Sequence, residues 1–221
     1  MANIPSLDIQ AKVVSDAAQN FVEHYYESLN KRHSLAQYYA STSAYLTAAS
    51  VKPDISINGR VLESVAAYEA LLEAQGGPVY YDVASFDAHP VNPNYGLGCP
   101  DALSLAAAAD DGVGGAAGGR GRASKSIKDG DRLSFTVQVS GTVRYGKAGE
   151  GAAAAAAAGP TAGSAGGPEV AAAATAAAAD APIEKAFNES WLLVPHWEAL
   201  GRNAARGLRK WVVVSQNFRA S

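Results

Sequence analysis

Residues 133–143, Leu-Ser-Phe-Thr-Val-Gln-Val-Ser-Gly-Thr-Val, alternate between two characters. Leu133, Phe135, Val137, Val139 and Val143 fall on one parity, and Ser134, Thr136, Gln138, Ser140 and Thr142 on the other. Successive side chains of a strand point to opposite faces, so the pattern predicts a long strand. One of its faces is buried and the other is polar but uncharged, the signature of a sheet covered on one side only.

The neighbouring segments share this character. Val79–His89 is rich in β-branched and aromatic residues and is expected to stop at Pro90. Phe187–Trp197 and Lys210–Phe218 predict two more long strands. Upstream, the period changes from two to 3.6. Val14, Ala18, Phe21, Tyr25 and Leu29 share one helical face, widened by Val22 and Tyr26, and Asp8 falls in the first turn, where a carboxylate complements the helix dipole. A short second helix is expected over Ser34–Tyr39 with Ser34 as its cap, then short strands over Ala44–Thr47 and Asp54–Ile57. Asn58-Gly59 marks a turn. A third helix follows, with Val61, Val65, Tyr68 and Leu72 on one face, ended by Gly76-Gly77-Pro78. Helices first and long strands afterwards predict an α+β fold, helices packed on one face of a curved antiparallel sheet.

The chain has 221 residues, and 48% are hydrophobic. Much of that fraction is alanine in tracts such as Gly151–Gly159 and Val170–Asp180. Two inserts, 96–128 and 147–182, carry 33 and 36 residues of mostly small side chains, and the remaining 152 suit one domain. The expected organisation is therefore a single domain over 1–221 with two low-complexity loop insertions. The inserts offer little bulky apolar surface to offset the entropy of ordering. Deleting Gly151–Asp180 is expected to leave the melting temperature within a few degrees, and a thermal melt checks this.

Several classes are excluded. The Ala/Gly tracts are too weakly apolar to span a bilayer, and MANIPSLDIQAK has no basic head before an apolar stretch, so no secretory leader and no membrane contact are expected. Cys99 is the one cysteine, which rules out a disulfide framework or thiolate zinc site and fits a reducing compartment, cytosol or nucleus. His24, His33, His89 and His196 have no metal-motif spacing and are read as core or interface histidines; GVGGAAGG lacks the strand and Lys-Ser/Thr of a phosphate cradle. No cofactor is expected. A net charge of −3 does not suit a chain that binds nucleic acid over its whole surface.

The segments FVEHYYESL (21–29), ISINGR (55–60), YDVASFDAHPV (81–91), FTVQVSGTVRYG (135–146), AFNESWLLVP (186–195) and KWVVVSQNFRAS (210–221) occur in this order. The set resembles the nuclear transport factor 2-like family, and within it the small subunit of the general mRNA export receptor, particularly the fungal form. The Phe187-Asn188 to Leu193 string and the terminal Phe218-Arg219 carry the branch. The resemblance implies a cone of three helices on the concave face of a strongly bent sheet. It implies a non-enzymatic heterodimer subunit that binds a large partner sheet against sheet and supports passage of ribonucleoprotein cargo. Phenylalanine-glycine nucleoporins as partners, and a location in the nucleus and nuclear pore with shuttling to the cytoplasm, follow from the same likeness.

On this basis Ser134, Thr136, Gln138 and Ser140 are candidates for the partner interface, offering hydrogen bonds without burial of charge. The plainer reading is a face that meets water. The resemblance gives Arg219 a carboxylate of the large subunit, which a guanidinium fork binds at two points; the alternative is a frayed terminal residue. Asp87 joins the interface, or is a strand-end acid bonding nearby backbone. Arg120, Arg122, Lys125 and Lys128 form one basic stretch, and Arg202 and Arg206 belong to a second, where the two would share a face if the loop were helical. Weak RNA contact is the sharp reading of both, solvated loops the plain one. Other readings of the fold are a homodimeric Ran carrier, or an isomerase or dehydratase drawing on Asp82, Asp87, Tyr25, Tyr26 and His89 in the cone.

Overall fold

The computed structural model describes residues 4–100, 127–146, 183–201 and 204–221. The candidate residues Arg120, Arg122, Lys125 and Arg202, most of the first insert and all of the second lie outside them.

The long helix α1 runs Leu7–Asn30, with the Ser6 side chain accepting from the Ile9 amide and Asp8 in its first turn. Its buried face contains the expected stripe of Val14, Ala18, Phe21, Val22, Tyr25, Tyr26 and Leu29. Burying each such aliphatic or aromatic side chain contributes about 1.5–3 kcal/mol. The expected second helix is instead a pair of 3-10 turns, Ala36–Tyr38 and Ala40–Thr42. Ala44–Thr47, expected as a strand, lies in helix α2, Ala44–Ala48. Ser43 explains the difference: its hydroxyl caps the Leu46 amide at 3.2 Å and starts the turn.

Strands β1, Asp54–Ile57, and β2, Arg60–Leu62, form a hairpin that the sequence reading saw only in half. Asn58 and Gly59 are its two turn residues, with φ of 50° and 84°, the left-handed pair that a tight two-residue hairpin requires. Val61 therefore belongs to β2, 70% exposed, and helix α3 begins at Val65 and ends at Ala74.

The long strands are β3, Val79–Asn92; β4, Ser134–Tyr145; β5, Ile183–Pro195; and β6, Trp211–Ala220. The sheet order is β2-β1-β6-β5-β4-β3. All pairs are antiparallel except β1 with β6, so the sheet is mixed rather than wholly antiparallel. Pro90 does not end β3, because β3 is an edge strand and a proline there removes no required ladder bond. Trp197 has left β5 and lies in a 3-10 turn, Trp197–Leu200. Register shifts at Val83/Ser85, Pro90/Asn92 and Leu192/Leu193 mark bulges, which bend the strands that carry them.

Two apolar clusters hold the sheet. The large one fills the concave side, where α1 and α3 meet the inward residues of all four long strands. Trp191 lies at its centre, 5.2 Å from the rings of both Phe21 and Tyr25 and 5.8 Å from that of Tyr26. The small one joins Ala40, Leu46, Val194, Trp197 and Val212, with Tyr95 and Cys99 against it. The opening residues of the first expected insert are among those described. Cys99 packs here, and the Trp197 indole donates to the Leu97 carbonyl at 2.9 Å. At the other end of that insert Ile127 is buried.

Candidate functional site: an open polar sheet face

The β4 alternation comes out as expected: Phe135, Val137, Val139 and Val143 are buried on the concave side, while Gln138 and Ser140 are exposed on the other. Strand register extends this outer face sideways. One row runs Asp87, Gln138, Ser190, Asn217 and Ser56 across five strands. The next runs Ser85, Ser140, Asn188 and Arg219. The face is thus built of short hydroxyl and amide side chains, with an acid at one edge and a guanidinium near the other. The Ser140 hydroxyl donates to Asn188 Oδ1 at 2.8 Å.

Thr136 is half-buried on this face. Ser134 departs from the expectation. It is 2% exposed, so it sits inside the fold rather than on the open surface. The small cluster around Trp197 covers the outer side of the sheet where Val194 pairs with Val212, and that closes one end of the face.

Arg219 is not frayed. The Ala220 amide donates to Asn58 Oδ1 at 2.8 Å, and the Ser221 amide to the Ala186 carbonyl at 3.0 Å. The guanidinium lies over Gly59: Nη1 is 2.9 Å from where a Cβ would stand. Gly59 therefore serves both the hairpin turn and the seat of Arg219. No carboxylate among the described residues pairs with this guanidinium. Asp87 is exposed, caps the Ala88 amide at 2.8 Å and meets His89 Nε2 at 3.0 Å.

Lys128 and Arg206 are exposed. The described part of the second basic stretch, 204–210, contains no helix. His196 is buried, as a core histidine should be, with Nδ1 2.9 Å from the Arg209 carbonyl. His24 is half-exposed and edges a groove of about 610 Å³ between α1 and the β5–β6 connection.

The catalytic set considered for the cone does not assemble. Asp82, Asp87 and His89 share the outer face, while Tyr25 and Tyr26 are buried on the concave side. The cone holds a different acid, Glu189, 3% exposed. Tyr26 donates to its Oε2 at 2.7 Å and Gln216 to its Oε1 at 2.5 Å. Burial pushes this carboxyl up to about 7, against the two hydrogen bonds that favour its charged form. Its signal was present in the sequence: Glu189 has the parity of Phe187, Trp191 and Leu193. Among the described residues no group of three His, Cys, Asp or Glu side chains could hold a metal, and no helix is long and apolar enough to cross a membrane.

A folded-state value above the unfolded one means that the native protein holds a proton longer than the unfolded chain. The associated stability is complete in acid and is lost as pH rises towards and through about 7. Relative to wild type, Glu189→Gln is expected to gain about 3 kcal/mol between pH 4.5 and 8. Urea unfolding of both proteins across that range checks this.

A sheet wrapped round a long helix, closed by α3 and open on its polar side, is the nuclear transport factor 2-like fold. No family model and no curated protein matches the chain in sequence. Solved structures do, and they bear out the likeness to the export-receptor small subunit. A chain of "Sac3N peptide bound to Mex67:Mtr2" is 28% identical, with 94% of this chain and 98% of that one covered at a TM-score of 0.64. A chain of "Chaetomium thermophilum Mex67 NTF2-like domain complexed with Mtr2" is 27% identical, with the same coverage and a TM-score of 0.63. "Structure of Mtr2" is 26% identical, with 93% and 98% covered and a TM-score of 0.61.

Proposed function

We propose that this chain is the small, non-enzymatic subunit of a heterodimeric mRNA export receptor, folded as a single domain that pairs through its open sheet face with a large subunit similar to Mex67. One observation carries the reading. The face predicted for a partner is an uncharged lattice of Gln138, Ser140, Asn188 and Asn217, edged by Arg219 and Asp87. Such a surface gives up little when water leaves it and can hydrogen-bond across a second sheet. Arg219 is the anchor, and a partner carboxylate completes it. Aromatic rings fill the cone, which supports a structural role over turnover of a small molecule.

In this reading the chain stabilises the large subunit and supports passage of ribonucleoprotein through nuclear pores, with weak contacts to phenylalanine-glycine nucleoporins made by the pair. It works in the nucleus and at the pore, shuttling to the cytoplasm. The basic residues add weak RNA contact. The test is affinity capture of the tagged chain from its own cell extract. One larger chain at one-to-one ratio, containing a nuclear transport factor 2-like domain, supports the reading. Recovery of the chain alone, or only with itself, overturns it.

A further inference from the structure

The centre of the cone holds a hydrogen-bond network whose direction is fixed by one charge. An ionised Glu189 can only accept, so Gln216 turns Nε2 towards it, at 2.5 Å. The same nitrogen donates to the Tyr25 oxygen at 3.0 Å. Gln216 Oε1 then faces Tyr39, which must donate to it, at 2.6 Å. The Tyr39 oxygen is left to accept from Tyr25 at 3.1 Å. Donation therefore runs round a closed ring, Tyr25 to Tyr39 to Gln216 and back to Tyr25, with Tyr26 donating to Glu189 from outside it. An amide's orientation is set by such a network.

We propose that Glu189 and Gln216 form a proton-coupled two-state switch, in which uptake of a proton by Glu189 turns the Gln216 amide over and reverses the ring. A proton on Oε1 meets the Gln216 N–H groups head-on, and two donors facing each other in a dry core are costly. Rotation of the amide by half a turn removes the conflict. Gln216 Oε1 now accepts from Glu189 and from Tyr25, Nε2 donates to Tyr39, and Tyr39 donates to Tyr25. Every hydroxyl still finds an acceptor, and one amide hydrogen gives up its partner. The oxygen and nitrogen of one amide exchange places, so the surrounding packing is kept in both states.

The groups facing Glu189 leave it as the one site that titrates near neutrality. They are Tyr25 and Tyr26 from α1, Tyr39 from the 3-10 region, Tyr68 from α3 and Tyr81 from β3. Burial raises all five phenols, so none ionises below it. No cation among the described residues pairs with the carboxylate.

The experiment follows two signals in the full-length chain from pH 5 to 9. One is the infrared band of a protonated carboxyl, and the other is the Gln216 side-chain amide resonance in nitrogen-15 NMR. The band is expected to vanish with a midpoint near 7 and to be missing in Glu189→Gln, while the Gln216 resonances move with that same midpoint. A band that titrates while Gln216 stays still overturns the switch, as does a Glu189 that titrates with the exposed carboxylates. Should Glu189→Gln fail to fold, Tyr26→Phe gives the independent check. Losing the donor to the charged form raises the midpoint by about one pH unit, and the Gln216 transition must follow it. A Gln216 transition that stays where it was rules out the coupling.

Discussion

Arg219→Glu is expected to weaken the heterodimer roughly 100-fold, about 3 kcal/mol. The substitution removes a fork that can bind a carboxylate at two points and sets an anion where the partner is expected to present one. The effect is local. Arg219 is exposed and no carboxylate among the described residues pairs with it, so the isolated chain should melt as before. Arg219→Lys should fall between the two, because a lysine keeps the charge and loses the fork. Isothermal titration with the large subunit's corresponding domain measures all three, and equal affinities remove Arg219 from the interface.

Gly141→Ala is expected to cost about 3 kcal/mol of folding stability, a fall of roughly 10 °C in melting temperature. Gly141 has the buried parity of β4, beside the bulge at Val83/Ser85. A Cβ there would overlap the Asp82 carbonyl oxygen and stand 2.8 Å from the Phe187 ring. The first obstacle is backbone of the neighbouring strand, which cannot rotate aside. Relief requires β3 to part from β4 near the bulge. Calorimetry of the variant decides it, and an unchanged melting temperature would show that β3 gives way freely.

Where periodicity and burial coincide, the sequence was an adequate guide. The α1 stripe and the β4 alternation each come from a single face pressed against one core, so spacing alone reports them. The errors arose where a side chain outvoted the pattern. Ser43 caps a turn and makes Ala44–Ala48 helical although the segment reads as strand. Val61 has helical spacing from Val65 but is held in β2 by the Asn58-Gly59 hairpin. Ser134 keeps the polar parity of β4 yet is 2% exposed, and the cluster around Trp197 on the outer side of the sheet is drawn from residues far apart along the chain. Such coverage leaves no local trace. The same holds for the supposed catalytic set: listing Asp82, His89 and Tyr25 together ignores that a sheet has two sides. Glu189 was legible by parity, but an acid among aromatics is easily taken for an exception rather than for the centre of the cone.

Strand β6 joins two otherwise separate pieces of sheet, β2-β1 on one side and β5-β4-β3 on the other, and it is the last of the six in chain order. During synthesis the first five strands can form only hairpins and a meander, each with unsatisfied edges. The concave core and the two outer rows that pass through Asn217 and Arg219 are completed together, when β6 joins the sheet. Folding of this domain is thus a late, long-range event. A partner that reads the completed sheet face would have nothing complete to grip until β6 has joined the sheet, so assembly of the pair would follow the docking of that strand.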